Sequence, residues 1–224
     1  KIEKLLTLGS YPEAFLLGKE EAIQKIDQIS SSYLFKDILS LEGIKKPNVL
    51  ANLLKMLALQ VGNEVNYNEL SKNLGIDRKT VENYIDLLEK CFIIFKLNAF
   101  SRNLRKEISK SFKIYFYDLG IRNSLIQNYN SLDMRSDVGV LWENFCIIER
   151  IKRNSYNNIY ANYYFWRTYT QKEIDFIEER EGKLFAYEMK WKKEMKSVPK
   201  EFLEEYKNSE FEVVNRENYY KFLL

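Results

Sequence analysis

The stretch KEIDFIEEREGKLFAYEMKW, residues 172–191, constrains the fold of this chain more than any other. Two runs of apolar residues flank a short turn that contains Gly182, which is the pattern of a β-hairpin. Each run nevertheless carries charge where a buried strand prefers apolar side chains. Asp175 interrupts the first run, and Glu188 and Lys190 interrupt the second. The hairpin therefore predicts a sheet with a cluster of charged side chains inside it.

The order of apolar patterns and turn residues along the rest of the chain predicts an α+β fold. Residues 1–46 are predicted to be a helical segment, and residues 47–118 show the helix-helix-helix-strand-strand order of a winged helix-turn-helix. Residues 119–224 show the order α-β-β-β-α-β, with the hairpin as its second and third strands. Lys1 in place of a starting Met predicts that the chain is a piece of a longer protein.

The composition excludes several kinds of chemistry. The chain has 224 residues and no histidine, so histidine-based acid–base catalysis, Ser-His-Asp triads and histidine metal ligands are excluded. Cys91 and Cys146 stand alone among apolar neighbours, which predicts buried thiols in a reducing compartment. No apolar run is long enough to span a bilayer and no signal-peptide pattern is present, so a cytoplasmic protein without a membrane partner is predicted.

The charged hairpin can be interpreted as a metal site. Glu188 and Lys190 are two residues apart on one strand and share a face, and an antiparallel partner can place Asp175 beside them. Two carboxylates about 4 Å apart repel by roughly 4 kcal/mol at an effective dielectric constant near 20. A cation such as Mg²⁺ would offset this repulsion. The alternative is a plain cross-strand ion cluster at a sheet surface.

With these acids in this element order, residues 119–224 resemble the PD-(D/E)XK nuclease superfamily. Asp175 matches the family's Asp, Glu188 and Lys190 match its Glu-x-Lys, and Glu143 in VLWENFCIIER matches the Glu of the preceding helix. The resemblance implies a catalytic set of Glu143, Asp175, Glu188 and Lys190. It also implies that Asp175, Glu188 and Glu143 hold Mg²⁺ or Mn²⁺. Because this fold also occurs in inert binding domains, retained activity stays open.

Over nearly its whole length the chain resembles the C-terminal part of a bacterial and archaeal group of AAA-type ATPases. The motifs GSYPEAFL, SSYLFKDILSLEGI, KIYFYDLGIRNSL, GVLWENFCIIERI and YEMKW occur in the same order. No G-x-x-x-x-G-K-[ST] is present, so the resemblance implies that ATP binds only in a missing N-terminal module, whose lid residues 1–46 would follow. The ATPase module is then a partner, and a homo-oligomer is left open.

DNA is the predicted nucleic-acid partner. In a winged helix the third helix enters the major groove, which makes Arg78, Lys79 and Asn83 candidate contacts. The predicted wing is more basic than this helix and is favoured as the main contact. Its candidates are Arg102, Arg105, Lys106, Lys110 and Lys113. Lys192 and Lys193 follow the hairpin and either attract phosphate or form a solvated helix start.

Two functions are therefore predicted side by side. One is a DNA-binding arm of an AAA-type ATPase with a Mg²⁺-dependent phosphodiester-cleaving site. The alternative is a catalytically inactive module that binds nucleic acid or protein and regulates the ATPase.

Overall fold

The structure is a computed structural model that describes residues 1–32, 46–102, 111–192 and 198–224. Within these ranges the chain forms two compact units, one of residues 1–95 and 114–136 and the other of residues 96–113 and 137–224. The division falls inside two strands, at 95/96 and 113/114. The predicted domains 1–46, 47–118 and 119–224 remain predictions beside this division.

The first unit is mainly helical. Its helices are α1 (Ile2–Leu8), α2 (Pro12–Phe15), α3 (Lys19–Ile29), α4 (Pro47–Leu59), α5 (Tyr67–Leu74), α6 (Arg78–Lys90) and α7 (Leu119–Leu125), with a 3₁₀ turn at Leu132–Met134. Helix α5 begins where the Asn66 side chain accepts hydrogen bonds from two backbone N–H groups, and α6 begins where Asp77 accepts one from Thr80. Gly75, with φ 64°, ends α5 in the left-handed conformation. These signals produce the predicted helix-turn-helix.

The second unit is built around a mixed sheet. The strands are β1 (Ile94–Ala99), β2 (Phe112–Phe116), β3 (Asn162–Arg167), β4 (Glu173–Arg180), β5 (Lys183–Met189) and β6 (Ser209–Val214), and the helices are α8 (Val138–Tyr156), α9 (Lys200–Glu205) and α10 (Tyr219–Leu223). In the described residues the six strands lie in the order β2-β1-β3-β4-β5-β6. The β1–β3 and β5–β6 pairs are parallel, whereas β3–β4 and β4–β5 are antiparallel. The α+β class and the predicted order from α8 to β6 are confirmed.

The predicted hairpin is β4 and β5. Arg180 pairs with Lys183, and the two residues between them, Glu181 and Gly182, have φ of 53° and 70°. Two consecutive positive φ angles give the turn whose twist matches that of the flanking strands. The turn fixes the β4–β5 register and therefore which charged residues meet across the hairpin.

Apolar packing on one side of the hairpin holds it to α9. Phe202 of α9 is fully buried and lies edge-to-face against Trp166, with ring centroids 5.3 Å apart. Ile174, Ile177 and other apolar residues of β4 and β5 belong to the same buried cluster. This cluster gives the charged hairpin a rigid base.

Helix α8 is fixed to β4 by a buried ion pair. Arg150 Nε lies 2.6 Å from Glu178 Oε1, and its second contact, from Nη2 to Oε2, is 2.9 Å. Glu143 lies seven residues before Arg150 and so projects from nearly the same side of the helix. The ion pair therefore orients Glu143 toward the sheet. Cys146 of α8 is a buried free thiol as predicted, while Cys91 is only half-buried.

Candidate functional site

A β-bulge lies at the predicted site residue Asp175. Tyr164 of β3 pairs with Ile177 of β4. Two residues further along β3, Trp166 pairs with Ile174. Two residues of β4, Asp175 being the first, therefore oppose a single residue of β3. The bulge puts Ile174 and Ile177 into the same apolar cluster although they are three apart, and it interrupts the strand's alternation at Asp175.

Three of the four predicted catalytic residues meet at the open end of the hairpin. The Met189 N–H donates a hydrogen bond of 2.8 Å to Asp175 Oδ2. Next to Met189, Glu188 is only 1% exposed, and its Oε1 lies 2.9 Å from Lys190 Nζ. Asp175 is itself 9% exposed. The structure thus gathers Asp175, Glu188 and Lys190 where a water-poor environment strengthens their interactions.

The fourth predicted residue, Glu143, is paired with a lysine that was assigned elsewhere. Lys113 Nζ lies 3.7 Å from Glu143 Oε1 and also donates to Glu173 Oε1. The prediction that Lys113 belongs to an exposed DNA-binding wing is wrong, because this residue is only 4% exposed within β2. The sequence did contain a signal of a buried lysine, because FKIYF places Lys113 inside an apolar run, just as Asp175 lies inside one. The structure buries this run as β2.

The electrostatics of the site are dominated by its acids. Burial and the charges of Glu143 and Glu188 raise the pKa of Asp175 to about 8, while Lys113 and the Met189 N–H lower it to a smaller extent. For Lys113, burial lowers the pKa, yet the surrounding carboxylates of Glu143, Glu173 and Asp175 outweigh burial and raise it overall. Glu143 and Asp175 both contribute to this shift, so the Lys113 ammonium is part of the same charge cluster.

The donor set is suited to a hard divalent cation with two protein carboxylates. Within the ranges that the structure describes, no group of three or more acidic or cysteine side chains is arranged to hold a metal ion. Mg²⁺, however, commonly binds through one or two carboxylates and keeps several waters. Asp175 and Glu188 could supply those two oxygen ligands. The predicted third ligand, Glu143, is instead engaged by Lys113.

The predicted DNA contacts on α6 lie on the surface. Arg78, Lys79 and Asn83 are all exposed. Glu82 partly offsets the two cations, since its carboxylate oxygens lie 2.7 Å from Arg78 Nε and 3.9 Å from Lys79 Nζ. The helix therefore presents polar groups with little net positive charge.

The other predicted contacts are divided between described and undescribed residues. Arg102 is exposed, and its Nη2 lies 2.6 Å from Glu179 Oε1. Lys192 is also exposed. The remaining candidates lie outside the described residues: Arg105, Lys106, Lys110 and Lys193.

Two features that the sequence did not indicate lie close to the site along the chain. Trp191 directly follows Lys190 in the sequence. The guanidinium carbon of Arg216 lies over its ring, 4.6 Å from the ring centroid. The Lys190 N–H donates to Val214 O at 2.9 Å, which brings the end of β6 beside the end of β5. An exposed guanidinium therefore lies against the residue between Lys190 and Lys192 in the sequence. No local pattern links these residues, because the pairing depends on the β5–β6 register.

A cleft of about 810 Å³ lies at the other end of the hairpin. Its lining includes Asn154, Tyr163 and Arg180 and reaches the turn at Gly182. It contains none of the predicted catalytic residues. The predicted catalytic residues lie where the hairpin opens, so the volume of this cleft does not identify the site.

Comparison with known proteins identifies the family. A family model described as a domain of unknown function, DUF8612, matches residues 1–132, which is more than half of the chain. The chain belongs to the DUF8612 family. A second model, DUF4143, also described as a domain of unknown function, matches residues 138–222 and so includes Glu143, Asp175, Glu188 and Lys190.

Relatives of this DUF8612 chain are longer proteins. An uncharacterized protein of Mycobacterium tuberculosis is 26% identical over 192 residues, which are 84% of this chain and 42% of that protein. One of Haemophilus influenzae is 24% identical over 77% of this chain and 41% of its own length. One of Methanocaldococcus jannaschii is 29% identical over 55% of this chain and 26% of its own length. The chain thus spans less than half of each of these relatives.

Two further comparisons concern structure and membranes. No solved structure matches the chain. Among the helices that the structure describes, none combines the length and apolar composition of a membrane span.

Proposed function

We propose that this chain carries a Mg²⁺- or Mn²⁺-dependent site that cleaves phosphodiester bonds in DNA. The observation that carries the proposal is a pair of buried carboxylates, Asp175 and Glu188, at the open end of one hairpin with Lys190 beside them. Burial and like charge raise the pKa of Asp175 to about 8, so a divalent cation at this position would favour its ionised form at neutral pH.

Each side chain has a distinct role in this proposal. Asp175 and Glu188 hold the ion, and the Met189 N–H keeps Asp175 Oδ2 oriented. A bound ion lowers the pKa of a coordinated water and stabilises negative charge on a phosphate oxygen. Lys190 donates a hydrogen bond to the attacking water or to the phosphate, where charge develops in the transition state. Glu143 would contact the ion directly or through a bridging water.

The test is cleavage of plasmid and of labelled single- and double-stranded oligonucleotides with Mn²⁺, Mg²⁺ or EDTA. We expect metal-dependent cleavage that EDTA abolishes. Glu188→Gln and Lys190→Ala should each lose at least about 100-fold in rate. Glu210→Gln is the matched control, because Glu210 is an exposed acid on β6 that pairs with Lys183. Cleavage that persists in Glu188→Gln would assign the activity to a contaminant.

DNA binding is the second part of the proposal. The exposed groups Arg78, Lys79 and Asn83 on α6 support it, together with Arg102 and Lys192. The predicted contacts Arg105, Lys106, Lys110 and Lys193 belong to the same proposal. Binding should weaken steeply with salt, because neutralising phosphates releases counterions. Replacing Arg78 and Lys79 with Gln should lower the salt slope, as measured in a mobility-shift titration.

The proposal also gives the chain a place in a larger protein, as the C-terminal arm of an AAA-type ATPase. The support is that the chain matches less than half of each of its longer relatives. We expect the chain alone to show no saturable ATP binding by calorimetry, and we expect DNA to change ATP hydrolysis by the full-length protein. ATP binding by the chain alone would contradict this placement.

One observation favours a non-catalytic alternative. Lys113 contacts Glu143 and Glu173, so part of the acidic charge is already neutralised by a protein cation. The chain would then bind nucleic acid or protein and regulate the ATPase without cleaving DNA. Salt-sensitive DNA binding without any metal-dependent cleavage would support this alternative.

A further inference from the structure

Lys113 is an unusual residue for its position. Strand β2 is buried along its whole length, and Lys113 is its one charged residue. A buried ammonium is stable only when anions or hydrogen-bond acceptors surround it. Here Glu143 Oε1 lies 3.7 Å from Nζ, Glu173 accepts a hydrogen bond from it, and the ring centroid of Phe165 lies 5.3 Å away.

The position of Lys113 also limits how Glu143 can serve as a metal ligand. Glu143 is oriented toward the sheet by α8, yet its carboxylate is engaged by the ammonium. Asp175 is close enough for its charge to act on Lys113 as well. Glu143 and Asp175 thus already share the charge of one cation, and a second cation placed among these carboxylates would be repelled by the first.

We propose that the Lys113 ammonium and a divalent cation compete for the carboxylates of this site. The inference rests on the proposed metal-dependent function and adds its regulation. Without the ion, Lys113 neutralises Glu143 and neighbouring acids and keeps the cluster stable. When the ion binds at Asp175 and Glu188, Lys113 moves away from Glu143, whose carboxylate becomes available as a further ligand. Lys190 keeps its contact with Glu188 in the metal-free state.

The test compares Mn²⁺ affinity by titration calorimetry in wild type and two variants of Lys113. Lys113→Met removes the charge but keeps the length of the chain, and it should bind Mn²⁺ at least about tenfold more tightly. Lys113→Arg keeps the charge and should stay near the wild-type affinity. Lys96→Met is the matched control, because Lys96 also lies over an aromatic ring, 4.9 Å from the Phe112 centroid, and its affinity should not change.

A lower affinity in Lys113→Met would overturn competition, because it would show that Lys113 positions the ligands. An unchanged affinity would overturn it as well. Since Lys113→Met could fail to fold, a second measurement uses the wild-type protein. The ¹⁵N–¹H signal of the buried Lys113 ammonium, assigned by its loss in Lys113→Arg, should shift or broaden as Mg²⁺ is added. A signal that is constant while calorimetry shows Mg²⁺ binding would contradict the proposal.

These outcomes separate the inference from the proposed function. Tighter Mn²⁺ binding in Lys113→Met without any DNA cleavage would keep the competition and refute catalysis. Metal-dependent cleavage with equal Mn²⁺ affinity in Lys113→Met would keep catalysis and refute the competition. No metal binding by either wild type or Lys113→Met would refute both.

Discussion

Asp175 and Glu178 are buried acids on the same strand, only three residues apart, but the charged groups that surround their carboxylates differ. Glu178 is fully buried and receives both arms of the Arg150 guanidinium, at 2.6 and 2.9 Å, as well as a hydrogen bond of 2.7 Å from Asn154. Asp175 lies among the like charges of Glu143 and Glu188, which with burial raise its pKa.

The difference separates a structural charge from a candidate functional one. An acid whose oxygens meet a bidentate arginine is matched in charge and in geometry, and it holds α8 to the sheet. An acid whose neighbours are other acids is unfavourable in its charged form, and an additional cation can offset that cost. The two sites therefore respond differently to loss of charge, to metal and to pH.

The largest expected effect comes from breaking the matched pair. Arg150→Met should destabilise the protein by about 3 kcal/mol, because the buried Glu178 loses its bidentate partner and keeps only Asn154 and the more distant Arg180, whose Nε lies 3.6 Å away. Urea unfolding followed by circular dichroism measures the change. Lys152→Met, two residues along the same helix, removes a partly exposed contact with Glu149 and should cost less than about 1 kcal/mol. An equal loss of unfolding free energy in both variants would contradict the claim that the buried Arg150–Glu178 pair stabilises the protein more than a partly exposed pair does.

The second prediction concerns the acid-rich site and the metal. A ligand that binds only the folded state stabilises it by about 2.7 kcal/mol when its concentration is 100 times Kd. Saturating Mn²⁺ should therefore raise the unfolding free energy of wild type by roughly that amount. Glu188→Gln should lose most of the gain, while the exposed-acid control Glu210→Gln should keep it. Stabilisation that is equal in all three proteins would place the ion elsewhere.

The third prediction uses pH without metal. The folded-state pKa of Asp175, about 8, lies above the ordinary value of 3.8, so the contribution of the neutral acid to stability is complete below about pH 3.8. That contribution is lost progressively as the pH rises toward 8, because the unfolded state ionises first. Asp175→Asn stays neutral and should therefore be more stable than wild type by roughly 1–3 kcal/mol at pH 8.

The control for this prediction is the same comparison at low pH. Near pH 4 the advantage of Asp175→Asn should largely disappear, because the wild-type acid is then neutral in the folded state and about half protonated in the unfolded state. Urea unfolding at several pH values gives the full curve. An advantage that grows as the pH falls would mean that Asp175 is stabilised as a carboxylate, as a salt-bridged structural acid is.

Local signals predicted much of the fold. Asn66 and Asp77 carry side chains that can accept backbone N–H groups, which is a local signal of a helix start, and both act as caps. The turn at Gly182 predicted the hairpin because the conformation of a two-residue turn is also set by residues that are adjacent in the sequence. Long-range pairing was not predictable in this way. The parallel pairing of β1 with β3, from Asn98 to Tyr164, joins segments far apart in sequence.

The candidate site was predictable in Asp175, Glu188 and Lys190 but not in Lys113. Asp175 and Glu188 interrupt apolar strands, which is a local signal, and their hairpin register follows from the turn. The bulge at Asp175 depends on the pairing with β3 and leaves no local trace. Lys113 shows the same kind of interruption, but a basic cluster nearby in sequence suggested a wing, and only the sheet order brings it to Glu143.

The smallest expected effect concerns a third acid of β4. Glu179 pairs with Arg102, whose side chain is 61% exposed, so water and salt screen the contact. A double-mutant cycle with Arg102→Gln and Glu179→Gln should give a coupling energy of about 0.2–1 kcal/mol that falls as NaCl is raised. A coupling energy of several kcal/mol would make this exposed pair as strong as the buried Arg150–Glu178 pair. Burial would then not determine the strength of the ion pairs on β4. A weak coupling would show that along this strand the energetic weight of an ion pair follows its exclusion from water.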